Sequence, residues 1–520
     1  MPLSPFGSPS VRLSIPPELE NEAALLAYLK LSAAELKNIR WFRGRMYQTF
    51  SVGSPPRKVR TINAPNARLK HLQRLLTPLL TSIYRVRHPV HGFVAGKSVK
   101  TNAESHLKKR FIVNLDLQDF FPSISERRIV GMLRSLGVDS QVAKIVGYLC
   151  TSSGELPQGA PTSPILSNMI CFRLDKALMT FARESHCIYT RYADDITLSS
   201  YQPMVAVFDG TVPAPGHFPI ELLKPALRSA IETNGFTINV DKIYYADPNS
   251  RRMVTGLKVN EFVNVDRRYV RNLRAALCAV KALGHAEAQK KFETQYGGKC
   301  DLVAHLTGKM SWLGFIRGVT DPVYRSLALR FNAEYPDQKI EIVPTDLEIR
   351  DRAVWVLENP EFTGTAFFLK GVGLVTAAHN LEGFEEVELF HASKHSNKFK
   401  AKPLRVSKDF DLAILDHGIP ETEFYELERA GTQAATGDET TAVGFPNYGF
   451  GDRLNVREGK VSSMAVQHGV QLIEVDQKLS QGMSGGPLLN DRGQAVGVIH
   501  KGGPDEPRDF AVQIDQIDKF

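Results

Sequence analysis

The pattern of the chain changes once, near residue 340, and that change governs what it can fold into. Before it, stretches with apolar residues every three or four positions, such as NEAALLAYLKLSAAELKNIR, alternate with apolar runs such as FIVNLDL. These two periods predict helices interleaved with strands. After it, short β-prone runs follow one another between glycine turns, as in GTAFFLKGVGLVTAAHN, which predicts an all-β barrel domain. The segment AEYPDQKIEIVPTDLE, about 333–348, mixes Pro, Asp and Glu and marks the expected junction. A chain of 520 residues also exceeds what one core accommodates. The expected organisation is therefore a first region over 1–332, a linker over 333–348 and a second region over 349–520. Finer expectations are helix across 20–50, a strand in RKVRTINAP ended by Pro65 and a helix in ARLKHLQRLLTPLLTSIY. A loop-like insertion is expected at 202–219, with helices at 220–234 and 267–293.

Charge divides near the same place. Residues 341–520 carry 18 Lys and Arg against 29 Asp and Glu; of the chain's 64 and 56, that leaves 46 against 27 for the first 340. A basic first region beside an acidic second predicts that only the first binds a polyanion. The longest apolar runs, such as Leu412 to Leu415 and Val496 to Ile499, are too short to cross a bilayer, so no membrane association is expected. The opening stretch MPLSPFGSPSVRLSIPP lacks the basic-then-apolar order of a signal peptide and is expected to be a flexible lead-in. Five cysteines form no CxxC pair, and the last is Cys300. An odd count at these spacings predicts buried thiols in a reducing cytoplasm rather than disulfides or a zinc cluster.

Three carboxylates occupy positions where burial without a partner is costly. Asp116 lies in IVNLDLQDFF, and Asp194 and Asp195 lie in TRYADDITLSS. The second segment reads as a β-hairpin whose tip presents two adjacent acids. Mg²⁺ takes hard oxygen ligands, and three carboxylates converging on two Mg²⁺ ions would clamp an in-line phosphoryl transfer.

Together with LPQGAPTSPILSN, GFTINVDK and VTGLKV, these blocks resemble the reverse transcriptases, over most of residues 30–325. The resemblance implies an α+β right-hand polymerase, with fingers and palm to about 260 and a thumb over about 261–332. It implies that Asp116, Asp194 and Asp195 are catalytic metal ligands, with the Leu117 carbonyl as a further contact. Phe121 stands where the family places an aromatic ring that excludes a ribose 2′-OH and so selects dNTPs. The Gln158–Gly159 backbone would approach template and nucleotide closely. Lys242 would either protonate the leaving pyrophosphate or stabilise its charge. Lys58, Arg60 and Arg68 are candidates for the triphosphate. NAESH at 102–106 and VTG at 254–256 are similar to two blocks of the retron reverse transcriptases. That likeness implies that Asn102, His106, Val254, Thr255 and Gly256 help recognise a cognate structured RNA, through shape, backbone and unpaired bases. The implied activity is copying part of a non-coding RNA into single-stranded DNA, primed from a 2′-OH and leaving a branched RNA–DNA product. The chain alone does not identify the primer, and group II intron or diversity-generating reverse transcriptases share the palm blocks.

A second constellation lies beyond the junction: His379 in TAAHN, Asp411 in DLAIL and Ser484 in GMSGGP. A serine hydroxyl needs a base within hydrogen-bond reach, and that base needs a carboxylate to hold its tautomer. Small residues around Ser484 would expose the hydroxyl, with the N–H groups of Gly482 and Ser484 as candidates for an oxyanion hole. Asp409 and Asp416 are the competing acids. The three signatures in this order resemble the chymotrypsin-like, or trypsin-like, serine proteases. The resemblance implies a double β-barrel and an endopeptidase that needs no cofactor, acting on a protein substrate the sequence does not identify. Lys478 and His500 lie near the expected pocket for the residue before the cleaved bond. There they would either favour acidic side chains or serve the structure. The expected whole is a bacterial cytoplasmic retron reverse transcriptase with a protease effector for anti-phage defence, restrained by its RNA and DNA product. The alternative is a polymerase whose protease-like domain is a non-catalytic protein-binding scaffold.

Overall fold

The computed structural model describes residues 14–53, 59–296, 301–501 and 508–520. The chain separates into two compact units, Met1–Ile340 and Glu341–Phe520. The stretch 333–348 carries a short turn at Pro336–Gln338 and the start of a helix, Asp346–Ala353, that belongs to the second unit.

In the first unit, β1 (Tyr47–Val52) and β2 (Arg60–Pro65) form an antiparallel hairpin. The central sheet holds β3 (Phe111–Asp116), β4 (Ile188–Tyr192), β5 (Asp195–Ser200), β6 (Gly216–His217) and β7 (Tyr244–Ala246), in the order β4-β5-β3-β7-β6. Ile112, Val113 and Leu115 of β3 and Ile196 and Leu198 of β5 are buried, so the middle of the sheet is covered on both faces. Helices Glu126–Ser135, Ser140–Cys150, Ser163–Ile170 and Phe172–Glu184 supply much of that cover through Leu133, Val146, Leu166 and Leu178. A small hairpin, β8 (Met253–Val254) and β9 (Leu257–Lys258), leads into the helices Arg267–Leu283, His285–Tyr296, Leu302–Arg317 and Pro322–Glu334.

Local chemistry explains where the elements depart from the expected pattern. The expected helix across 20–50 is two helices and a strand. Lys30 closes the first helix in the left-handed region (φ 49°), and a Ser32–Glu35 capping box opens the second. Past Phe42 the chain turns through Arg43–Met46 and pairs as β1. The helical stretch 267–293 is cut at Gly284, whose φ of 76° no helix accepts. The expected loop at 202–219 is packed rather than loose. Phe208 and Phe218 are buried and meet edge-on at 5.4 Å, and Phe208 also abuts Tyr245 of β7 at 5.3 Å. Their apolar area holds the segment to the sheet.

The second unit is two closed six-stranded barrels. The first comprises β10 (Val354–Glu358), β11 (Thr363–Leu369), β12 (Gly373–Ala377), β13 (Val387–Phe390), β14 (Phe399–Ser407) and β15 (Leu412–His417). The second comprises β16 (Glu439–Gly444), β17 (Asn455–Gln467), β18 (Val470–Val475), β19 (Pro487–Asn490), β20 (Ala495–Lys501) and β21 (Asp509–Gln513). Closure satisfies every ladder and leaves no sheet edge open. The unit as a whole is a chymotrypsin-like double barrel.

One buried ion pair anchors the hairpin β4–β5. Arg191 of β4 and Asp175 of helix Phe172–Glu184 are both fully buried and joined by two hydrogen bonds, of 2.7 and 2.8 Å. Tyr189 donates to the same carboxylate at 2.8 Å, and Arg191 also donates to the Ala193 carbonyl at 3.0 Å. Removing one partner strands the other charge in the core. Asp175→Ala is expected to destabilise the first unit by about 3–5 kcal/mol, read as lost hydrogen-exchange protection of the β3–β5 amides in the full chain.

Candidate active sites

The first site is built at one end of the central sheet. Antiparallel register puts Asp116, the last residue of β3, directly opposite Asp195, the first of β5. The turn between β4 and β5 is tight, with Ala193 at φ 55°, and it sets Asp194 beside Asp195. The amide of Leu117 donates to the Asp194 carbonyl at 3.1 Å, which fastens the hairpin tip to β3. The Leu117 carbonyl oxygen accepts no hydrogen bond from a described residue. Asp116 is buried; its Oδ2 accepts from Lys242 Nζ at 2.5 Å and its Oδ1 from Asn239 Nδ2 at 3.2 Å. Asn239 is a contact the sequence reading missed, although it lies in the quoted GFTINVDK block.

Electrostatics at this end are strained. Burial, then the charges of Asp194 and Asp116, push the Asp195 carboxyl up to about 7, with Lys242 opposing. Asp195 with its two neighbouring carboxylates is a donor set suited to a hard divalent cation. They are not gathered around one point. Among the described residues, only His379, Asp411 and His500 bring three such ligand atoms within 4.8 Å of one another.

The other expected contacts fall into three groups. Phe121 is half-buried against Phe120 and Phe93, with ring centroids 5.2 and 6.2 Å away. Gln158 accepts from the Asn63 amide at 2.9 Å, and Gly159, at φ 122°, abuts β2 so closely that a Cβ would meet Ile62 at 2.7 Å. That backbone therefore makes its close approach to the β1–β2 hairpin. Lys58 and the Arg60 side chain lie outside the described residues. Arg68 is exposed and paired with Glu35 at 3.3 Å.

The five residues expected to meet RNA divide. His106 is fully buried, with its ring nitrogens 2.6 Å from Ser199 Oγ and 2.7 Å from Thr190 Oγ1, and burial lowers its pKa to about 3. Asn102 and Val254 are also closed to solvent. The side chains of these three thus face the interior, and His106 ties its segment to β4 and β5. Thr255 is half-buried and Gly256 exposed, in a turn of positive φ.

The second site lies in the double barrel. His379 sits in the turn Ala378–Leu381 that follows β12. Asp411 precedes β15 at φ 50°, a left-handed conformation that Asp tolerates. One of its oxygens accepts from the His379 amide at 2.9 Å and the other faces His379 Nδ1 at 2.7 Å. Burial opposes the Asp411 charge, but hydrogen bonds from His379 and His500 outweigh it and hold the carboxyl well below the usual range. The competing acids, Asp409 and Asp416, are exposed.

Ser484 is fixed by its backbone. Its carbonyl accepts from the Thr365 amide at 3.0 Å and from Asn380 Nδ2 at 2.9 Å. At Gly485, φ 84°, a Cβ would strike the Thr365 carbonyl at 2.2 Å, so only glycine permits this turn. The N–H groups of Gly482 and Ser484 donate to no acceptor among the described residues, as donors reserved for a substrate oxygen would. The Ser484 hydroxyl donates to the His500 carbonyl at 3.2 Å rather than to His379. Of the two readings for His500, a pocket that favours acidic side chains or a structural role, the contact made is a structural one: its Nδ1 lies 2.5 Å from Asp411. Lys478 sits 3.4 Å from Asp509, which balances its charge.

Comparison with known proteins follows the same division. Residues 51–261 match the family model "Reverse transcriptase (RNA-dependent DNA polymerase)", and residues 364–498 match "Trypsin-like peptidase domain". The chain is 34% identical over 292 residues to the Retron Ec86 reverse transcriptase of Escherichia coli, covering 55% of this chain and 79% of that one. It is 33% identical over 294 residues to the Retron Mx162 reverse transcriptase of Myxococcus xanthus, covering 50% and 59%. The second unit is 33% identical over 145 residues to the chloroplastic Protease Do-like 2 of Arabidopsis thaliana, covering 26% of this chain and 23% of that one.

The raised Asp195 pKa has a testable sign. Without divalent cation, the folded chain keeps a proton on Asp195 up to about pH 7, whereas an unfolded Asp releases it near about pH 4. Stability of the first unit should therefore fall as pH rises between those values. Unfolding in EDTA across this range should show that slope, and Asp195→Asn should flatten it.

Proposed function

Because this chain belongs to the retron reverse transcriptases and carries a trypsin-like peptidase domain behind them, we propose that it copies a cognate non-coding RNA into single-stranded DNA and cuts peptide bonds with its second unit. The observation that carries the first half is the pairing of Asp116 with Asp195 beside Asp194. These residues, with the Leu117 carbonyl, would hold two Mg²⁺ ions, which when bound make the primer hydroxyl more acidic and offset charge on the leaving pyrophosphate. Asn239 fixes one oxygen of Asp116 while Lys242 holds a positive charge against the other. From there Lys242 can swing to the leaving group. Phe121 and the Gln158 region would border the incoming nucleotide, with Lys58 and Arg60 reaching its phosphates. The Thr255–Gly256 turn would face the RNA, with Asn102, His106 and Val254 supporting it from beneath.

In the second unit His379 would take the Ser484 proton as the hydroxyl attacks a peptide carbonyl. Asp411 would keep the Nδ1–H tautomer in place, and the Gly482 and Ser484 amides would receive the oxyanion. The observation that supports this reading is the double hold of Asp411 on the backbone and ring of His379. The catalytic step requires the Ser484 hydroxyl to rotate from the His500 carbonyl toward His379. The biological role consistent with the pairing is anti-phage defence in the bacterial cytoplasm, with the RNA–DNA product restraining the peptidase.

Two variants separate the halves. Asp195→Asn should abolish DNA synthesis on the co-purifying RNA and retain fluorophosphonate labelling, raised where loss of the DNA product lifts the restraint. Ser484→Ala should lose that labelling and on the order of 10⁶-fold in peptide hydrolysis, with DNA synthesis unchanged. An unlabelled native chain would make the second unit a scaffold.

A further inference from the structure

Two imidazoles, not one, face Asp411. His379 Nδ1 and His500 Nδ1 lie 2.7 and 2.5 Å from the same oxygen, Oδ2, with their rings 6.3 Å apart and tilted by 68°. Ligands around a tetrahedral zinc stand about 3.3 Å apart. The closer spacing here is that of protons shared with a carboxylate, not of an ion site. The other oxygen, Oδ1, is taken by the His379 amide at 2.9 Å. One negative charge is thus divided among three donors, two of them rings in competition. The main chain of His500 acts on the nucleophile as well, since its carbonyl accepts the Ser484 hydroxyl at 3.2 Å. His500 therefore touches both ends of the constellation: the carboxylate through its ring and the serine through its backbone. His500 itself is unpaired: it is the extra residue at a bulge of β20 against β21, between Ile499 and Lys501.

We propose that His500 is a positioning residue of the peptidase, which draws Asp411 away from His379 and holds the Ser484 hydroxyl turned from its base, so that the resting site is under-activated. The proposal rests on the triad reading above. Among the described residues, other charged groups bear little on Asp411. β12 carries none, Lys408 and Asp409 on the preceding loop are exposed, and Asp416 and His417 lie at the far end of β15. With the second ring gone, the whole charge of Asp411 falls on His379. Its imidazolium is then better stabilised and its neutral form is a stronger base.

The test is the rate of Ser484 labelling by a fluorophosphonate, measured from acid to alkaline pH in the full chain with its RNA. His500→Ala and His500→Leu remove the ring donor, the second keeping bulk in case the first does not fold. His500→Asn keeps a donor that cannot titrate. Either truncation should move the acid limb of the profile up by about half to one pH unit and speed labelling above it, and His500→Asn should bring the limb back toward native. A limb that stays put in the folded truncation, or a rate that drops uniformly at all pH, overturns the proposal while Ser484-dependent labelling persists. If no variant is labelled through Ser484, the triad reading itself fails and this proposal goes with it.

Discussion

The first unit depends on a charge pair sealed in its core. Asp175 and Arg191 share no contact with solvent, and their desolvation is compensated only because every strong acceptor and donor is used. Tyr189 completes the carboxylate, and the spare arm of the guanidinium grips the Ala193 carbonyl. That last bond reaches the turn that bears Asp194 and Asp195. A helix on one face of the sheet thereby fixes the backbone of a hairpin whose own acids repel one another. The arrangement places a net attraction beneath the turn to oppose the repulsion at its tip.

The second unit solves a comparable problem with no fully buried salt bridge among its described residues. Its candidate nucleophile, Ser484, sits where backbone crowds backbone. Gly485 lies against the Thr365 carbonyl, Thr365 Oγ1 bonds the Gly482 carbonyl at 2.7 Å, and Asn380 bonds that of Ser484. Thr365 belongs to β11 of the first barrel and Asn380 to the turn between its β12 and β13, whereas Ser484 precedes the second barrel's β19. Closed ladders make both barrels stiff, so the few hydrogen bonds between them set the position of Ser484 relative to His379.

Much of this was legible in the residues themselves. Asp116, Asp194 and Asp195 announced their pairing because acids in strand-forming runs are expensive to bury. His379 and Ser484 were marked by small neighbours, in TAAHN and GMSGGP, and Asp411 by the DLAIL run between them. The two-unit organisation was visible in the change of hydrophobic period and in the shift of charge. What sequence could not give were directions. NAESH offers Asn102 and His106 but not that the segment bearing them turns inward, where His106 finds Ser199 and Thr190. His500 falls at a bulge between Ile499 and Lys501, where the alternation of faces that a sequence pattern relies on is broken. The packed segment around Phe208 and Phe218 looked like a loop because its prolines and glycines outnumber its rings, yet the rings decide its fate.

The register of β3 against β5 has a further consequence. The separation of Asp116 from Asp195 is dictated by the ladder rather than by either side chain. Apolar residues along both strands can be exchanged for others of similar bulk without altering it. Inserting or deleting a single residue in either strand would be a different matter, because it would carry one acid to the opposite face. Variation within a lineage should accordingly be permissive toward replacement here and closed to changes of length.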